Sequence, residues 1–143
     1  MSLSPIPAVI AVVIRDGHTL LVRRANPPDA GLWGFPGGKV EFGETVKDAT
    51  RRELLEETAV HAEPQDVVTT LDVLVRDPDG QVRQHYILIA VQCRWVSGEP
   101  LAGDDALEAR WFPVEDLDPA ALPMSADVDV IARRAQASNR RDP

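Results

Sequence analysis

The stretch Gly38-Lys39-Val40-Glu41-Phe42-Gly43-Glu44-Thr45-Val46-Lys47-Asp48-Ala49-Thr50-Arg51-Arg52-Glu53-Leu54-Leu55-Glu56-Glu57-Thr58-Ala59-Val60 decides how the chain is read. From Thr45 to Thr58 it contains neither Gly nor Pro, and Thr45 stands three residues before Asp48, so a capped helix of about four turns is predicted there. On such a helix Glu53, Glu56 and Glu57 fall at i, i+3 and i+4 and lie side by side on one surface. Carboxylates so placed repel one another, by about 1 kcal/mol per pair in water and several-fold more in a cleft, and a hard cation relieves the repulsion. Oxygen-only ligands select Mg2+, Mn2+ or Ca2+ over zinc or copper.

A merely solvated acidic face is the plain alternative. Two features weigh against it. Ala49 lies four residues before Glu53 and Val46 seven before, so the carboxylates continue a partly apolar stripe. The Pro36-Gly37-Gly38 turn also precedes the helix closely enough to fold over its acidic side.

Upstream, Ala8 to Ile14 and Leu20 to Arg23 are β-prone runs on either side of Asp16-Gly17, which predicts a hairpin. Asn26 to Gly43 is rich in Pro and Gly, with Trp33 and Phe35 interleaved, and reads as a loop with short extended pieces. Downstream, Val67 to Val75 and Val82 to Val96 predict a longer hairpin around Asp77-Pro78-Asp79-Gly80. Its return strand is apolar on both parities from Tyr86 to Ala90, the pattern of a strand covered on both faces. A short strand at Ala109 to Phe112 and a helical turn at Pro113 to Leu117 follow. Ser125 then caps a last helix with Val128, Ile131, Ala132 and Ala135 on one side. The expected fold class is α+β, a mixed β-sheet sandwiched between helices (α/β/α). Residues 1–137 are read as one domain, and 138–143 as a flexible C-terminal tail.

The 143 residues, 44% of them hydrophobic, suffice for one buried core. With 23 acidic against 15 basic residues and a formal charge of -8, the chain offers no broad basic surface to nucleic acid. Such a protein holds phosphate only through a local cluster of arginines or through bound cations. Cys93 is the single cysteine, which excludes an internal disulfide and a multi-cysteine zinc site. Ala8 to Ile14 is too short to span a bilayer and is not framed as a signal peptide, so a cytoplasmic protein without a membrane partner is expected.

Gly38, five residues, Glu44, seven residues, then Arg52-Glu53-Leu54-Leu55-Glu56-Glu57-Thr58-Ala59-Val60 resembles the Nudix box. The departure in the fixed pattern is Ala59, where that family normally has Gly. Leu32-Trp33-Gly34-Phe35-Pro36-Gly37, Ala109-Arg110-Trp111-Phe112 and Glu115-Asp116-Leu117 look like family segments too. The resemblance implies that Glu53, Glu56 and Glu57 ligate Mg2+, with Mn2+ as a substitute, helped by the backbone carbonyl of Gly37. It implies that Glu44 and Arg52 orient these ligands. The implied reaction is hydrolysis of a diphosphate bond in a nucleoside diphosphate linked to another group, by attack of an activated water on phosphorus. Which carboxylate takes the proton stays open: Glu53 comes first, with Asp104, Asp105 and Glu108 as alternatives or as an extra metal ligand.

The candidate substrate-binding residues are Arg23, at the end of a strand directed toward the glycine loop, with Trp33, Phe35 and Gly38. Tyr86 is a further aromatic for base or ribose stacking. Arg76-Asp77-Pro78 stands where diadenosine-polyphosphate hydrolases usually carry a tyrosine, and the substrate classes left are ADP-ribose-type nucleotides and nucleoside triphosphates, oxidised ones included. A Nudix-fold nucleotide-binding or regulatory module without turnover is the second reading. A homodimer is left open.

Overall fold

Strand β1 (Ile6–Arg15) is the axis of the sheet in the computed structural model, which describes residues 3–141. It turns at Asp16-Gly17 into β2 (His18–Arg24), which pairs along its far edge with β7 (Ala106–Pro113) and, on the same edge as β1 but further along, with β3 (Trp33–Gly34). The first half of β1 also pairs antiparallel with β4 (Gly37–Lys39). On its other side β1 runs parallel to β6 (Val82–Ser97), and β6 pairs antiparallel with β5 (His61–Arg76), the free edge. The seven strands form one mixed sheet.

Helix α1 (Val46–Thr58) covers one face of this sheet and helix α2 (Val128–Arg141) the other. The two-residue period of the strands divides their apolar residues between the helices. Ala11, Val13 and Leu20 pack with Leu54 and Val60 on the α1 side, while Val12, Ile14 and Leu21 pack with Ile131, Ala132 and Ala135 on the α2 side. The expected α/β/α sandwich is therefore the observed one.

The predicted cap of α1 is present: the Thr45 hydroxyl accepts the Asp48 amide at 3.1 Å. Three expectations need correction. Ser125 does not cap the last helix; its amide donates to the Trp33 carbonyl, and α2 begins at Val128, where the Asp127 carbonyl accepts the Ile131 amide. That helix continues through Arg141, so 138–141 is helical rather than a flexible tail, and 142–143 lie outside the described residues. On β6, full cover begins only at Ala90 and ends at Cys93; of Tyr86 to Ile89, Ile89 alone packs against a core cluster, on the α1 side, and it is only partly buried.

Candidate active site

Helix α1 reaches the site by way of β4, which lies close beside β1 in the sheet. A Cβ on Gly37 would sit 2.0 Å from the Val9 carbonyl oxygen, and one on Gly38 would sit 2.5 Å from the Glu53 carboxyl carbon. At Gly37 the clash is with backbone, so only glycine fits; at Gly38 the Glu53 carboxylate would have to move aside, so the Pro36-Gly37-Gly38 turn lies directly on the acidic face of the helix, as its spacing suggested.

Arg52 organises that face. Its Nε and one terminal nitrogen grip the two oxygens of Glu44 at 2.7 and 2.9 Å. The same guanidinium donates to the Lys39 carbonyl at 3.0 Å, to Glu53 at 2.8 Å and to Glu56 at 3.3 Å. The forked hydrogen bond from Arg52 holds the Glu44 carboxyl down to about 2. Glu53 is shifted the other way, raised chiefly by burial, with Arg52 opposing.

Glu57 is the most enclosed of the three glutamates, 9% exposed, and accepts the Gly37 amide at 2.6 Å. Burial pushes its carboxyl up to about 8; the Gly37 hydrogen bond and Arg24 oppose the rise, and the charges of Glu53 and Asp105 add to it. Two half-buried or buried carboxyls that resist ionisation side by side are what a cation would relieve. The donor set, all carboxylate and carbonyl oxygen, suits a hard divalent ion. Among the described residues no group of three or more His, Cys, Asp or Glu is gathered tightly enough to enclose an ion with the side chains as they stand, since Glu56 is turned to Arg52. Glu56 is exposed, which leaves its side chain room to rotate.

The loop before β7 closes the C-terminal end of α1: Gly103 donates to the Glu57 carbonyl and Leu101 to the Thr58 carbonyl, each at 2.9 Å. It brings Asp105 within electrostatic reach of Glu57. Asp104 is exposed at a left-handed turn, φ 47. Glu108 is elsewhere. It bonds Arg23 at 3.0 Å and Arg110 at 2.9 Å, and Arg110 lies over the Trp33 and Phe112 rings on the α2 face of the sheet.

Strand alternation explains a further correction. Leu20 packs toward α1 and Leu21 toward α2, so Arg23 falls on the α2 face, where it is tied to Glu108. Arg24, its neighbour, is the arginine whose charge acts on Glu57. The Arg24 Nε is buried and has no hydrogen-bond partner among the described residues. Counting parity from Leu20 would have found it. Trp33 and Phe35, 4% and 5% exposed, belong to the core under α2 and present no face to a base.

A profile of the NUDIX domain matches residues 4–134. The chain belongs to the Nudix hydrolase family. Among its Nudix relatives, the ADP-ribose pyrophosphatase of Methanocaldococcus jannaschii is 37% identical over 120 residues, which make up 84% of this chain and 69% of that protein. The oxidized purine nucleoside triphosphate hydrolase of Danio rerio is 31% identical over 115 residues, 76% of this chain and 66% of that protein. Other relatives are longer still: the alignment with the human 8-oxo-dGDP phosphatase NUDT18 spans 31% of that protein. The MutT NUDIX hydrolase of Burkholderia pseudomallei has the same fold, with a TM-score of 0.78 at 28% identity over 92% of this chain and 98% of that one. No helix among the described residues of this Nudix chain is long and apolar enough to cross a membrane.

Proposed function

We propose that this Nudix chain hydrolyses the diphosphate linkage of a nucleoside diphosphate derivative, with Glu53, Glu56 and Glu57 holding Mg2+ or Mn2+ and the Gly37 carbonyl assisting. The observation that carries this reading is the buried Glu57 beside Glu53 under a turn of two glycines, with Arg52 fixed by Glu44 at their side. A divalent ion in that place supplies positive charge against the phosphates and lowers the pKa of water.

The remaining roles belong to the chain itself. Glu44 keeps Arg52 in place, and Arg52 keeps Glu53 in place, so a small error in either displaces a ligand. Arg24, whose charge acts on Glu57 and whose buried Nε has no partner among the described residues, is the chain's candidate to receive a phosphate oxygen. Glu53 is the first choice for the proton acceptor, and Asp105 the second, because Asp105 is close enough to act on Glu57 whereas Glu108 is engaged with Arg23 and Arg110.

The names of the relatives support two substrate classes, ADP-ribose and nucleoside triphosphates carrying oxidised purines. The test is to incubate the purified chain with Mg2+ or Mn2+ and ADP-ribose, ordinary nucleoside triphosphates and oxidised ones, with Glu56→Gln in parallel. Metal-dependent release of a nucleoside monophosphate from one class, lost in the variant, is the expected result. Binding of nucleotide without turnover for any class would replace the hydrolase by a binding module.

A further inference from the structure

Strand β5 ends the sheet, and among the described residues no strand pairs with its outer edge. From Thr69↔Ala90 to Val75↔Gln84 it pairs with β6 residue by residue without a register shift. Every second backbone N–H and C=O of that stretch therefore faces away from the sheet, an open template for another strand. Edges that stay single are usually blunted by proline, lysine or a bulge. Thr69 to Val75 carries no proline, glycine or lysine, Asp72 is its one charge, and the register shifts of this pairing fall outside it, between Val67 and Thr69 and between Val75 and Arg76.

We propose that this edge docks a second copy of the chain, β5 against β5, antiparallel about a two-fold axis through Leu74. A two-fold axis normal to the sheet keeps each side chain on its own face, so it must pass through a residue rather than between two. An axis at Asp72 would set Asp72 against the partner's Asp72. An axis at Val73 would leave Asp72 opposite the partner's Leu74 and Arg76 opposite the partner's Thr70. With the axis at Leu74, Arg76 stands opposite the partner's Asp72, and the symmetric contact repeats the pair. Leu74, 45% exposed, meets the partner's Leu74 between them. On the other face Val73 meets the partner's Val75.

The groups needed are available. The register shift between Val75 and Arg76 puts its extra residue, Arg83, on β6, so β5 itself keeps alternating: Asp72, Leu74 and Arg76 are exposed between the half-buried Leu71, Val73 and Val75, and these three exposed residues share one face. Arg76 has no carboxylate partner among the described residues; its guanidinium donates to the Gly80 carbonyl at 3.0 Å, which leaves other N–H groups free. Among the described residues the Asp72 carboxylate has one hydrogen-bond partner, His85 at 3.4 Å. Backbone pairing, an apolar centre and two flanking opposite charges together fix one register.

Analytical ultracentrifugation of the full chain over a concentration series tests this. The unaltered chain is expected to sediment as a dimer. Asp72→Arg sets Arg against Arg at both flanking contacts and Arg76→Asp sets Asp against Asp, so each alone is expected to weaken dimerisation about tenfold or more. Mixed in equal amounts, the two variants are expected to form a heterodimer, because both flanking contacts then join opposite charges. Leu74→Lys, at an exposed position that folding tolerates, is expected to be monomeric and covers the case in which a charge reversal misfolds by circular dichroism. A monomeric unaltered chain, a dimer indifferent to all three substitutions, or a mixture that stays monomeric while both variants are folded would overturn the proposal.

Discussion

Arg52 holds Glu44 through both arms of its fork, Nε to one carboxylate oxygen at 2.7 Å and a terminal nitrogen to the other at 2.9 Å. Neither residue is needed to fill the core, whose α1 side is closed by Leu54, Val60 and the strands. Their joint effect is to aim Glu53. Arg52→Lys preserves the charge but cannot grip both oxygens of Glu44. The expected outcome is a fall of about ten- to a hundred-fold in kcat/KM or in metal affinity. A thermal melt should move little. A large loss of Tm with unchanged turnover per folded molecule would show that the pair is there for stability.

Glu57 makes the apo-protein sensitive to pH. Its carboxyl is raised from 4.5 to about 8 by burial, so at intermediate pH the folded form carries a proton that the unfolded form has already lost. The sign follows: this group's contribution to stability is complete below the unfolded pKa and is lost as pH rises through the folded one. Apo-protein stability should therefore decline between 4.5 and about 8, and Glu57→Gln should flatten the decline. Cation binding needs the ionised carboxylate, so below pH 8 the apparent affinity should fall about tenfold per unit as the proton competes. Chemical denaturation of the apo-protein and a metal titration, each at several pH values, check both slopes.

The acidic helix was legible because its signals are local: Thr45 and Asp48 mark its start, and the spacing of Glu53, Glu56 and Glu57 sets their common face. The hairpin turns at Asp16-Gly17 and around Pro78 were legible for the same reason. What escaped depends on contacts distant in sequence. Trp33 and Phe35 sit in a glycine-rich loop that suggests a binding surface, yet α2, about a hundred residues later, buries them. Ser125 has the right chemistry for a cap, but it is anchored to Trp33 across the fold and the helix starts only at Val128. Glu108 resembles a free loop carboxylate until β7 is laid against β2 and pairs it with Arg23.

That last pairing separates two adjacent arginines. Arg23 is engaged by Glu108 on the α2 face, at 2.9 Å, and both side chains are more than a third exposed. Its loss should cost little, below about 1 kcal/mol of stability. Arg24 instead lies on the side of the carboxylate cluster with its Nε unsatisfied. If it meets substrate phosphate, Arg24→Ala should reduce kcat/KM by about a hundred-fold, and Arg23→Ala by no more than a few-fold. Steady-state kinetics of the two variants on one substrate decide between them; equal losses would return the phosphate contact to a shared role.

Ala59 closes α1 in the left-handed region, with φ 62 and ψ 13, and its amide donates to the Leu55 carbonyl. The backbone thus keeps the C-terminal geometry for which glycine is the usual residue, although the side chain here is a methyl group. An L-residue held in that conformation is strained by about 1 kcal/mol relative to glycine. Part of the gain from replacing it is offset, because glycine has more freedom to lose on folding. Ala59→Gly is therefore expected to stabilise the chain by a few tenths to about 1 kcal/mol, with metal binding unchanged, since the carboxylates of Glu53 and Glu57 are fixed from Arg52 and Gly37 rather than from the cap. Denaturant midpoints of the two proteins, with Mg2+ titrations beside them, measure both parts. A destabilised Ala59→Gly would mean that the methyl group packs usefully enough to outweigh its backbone strain.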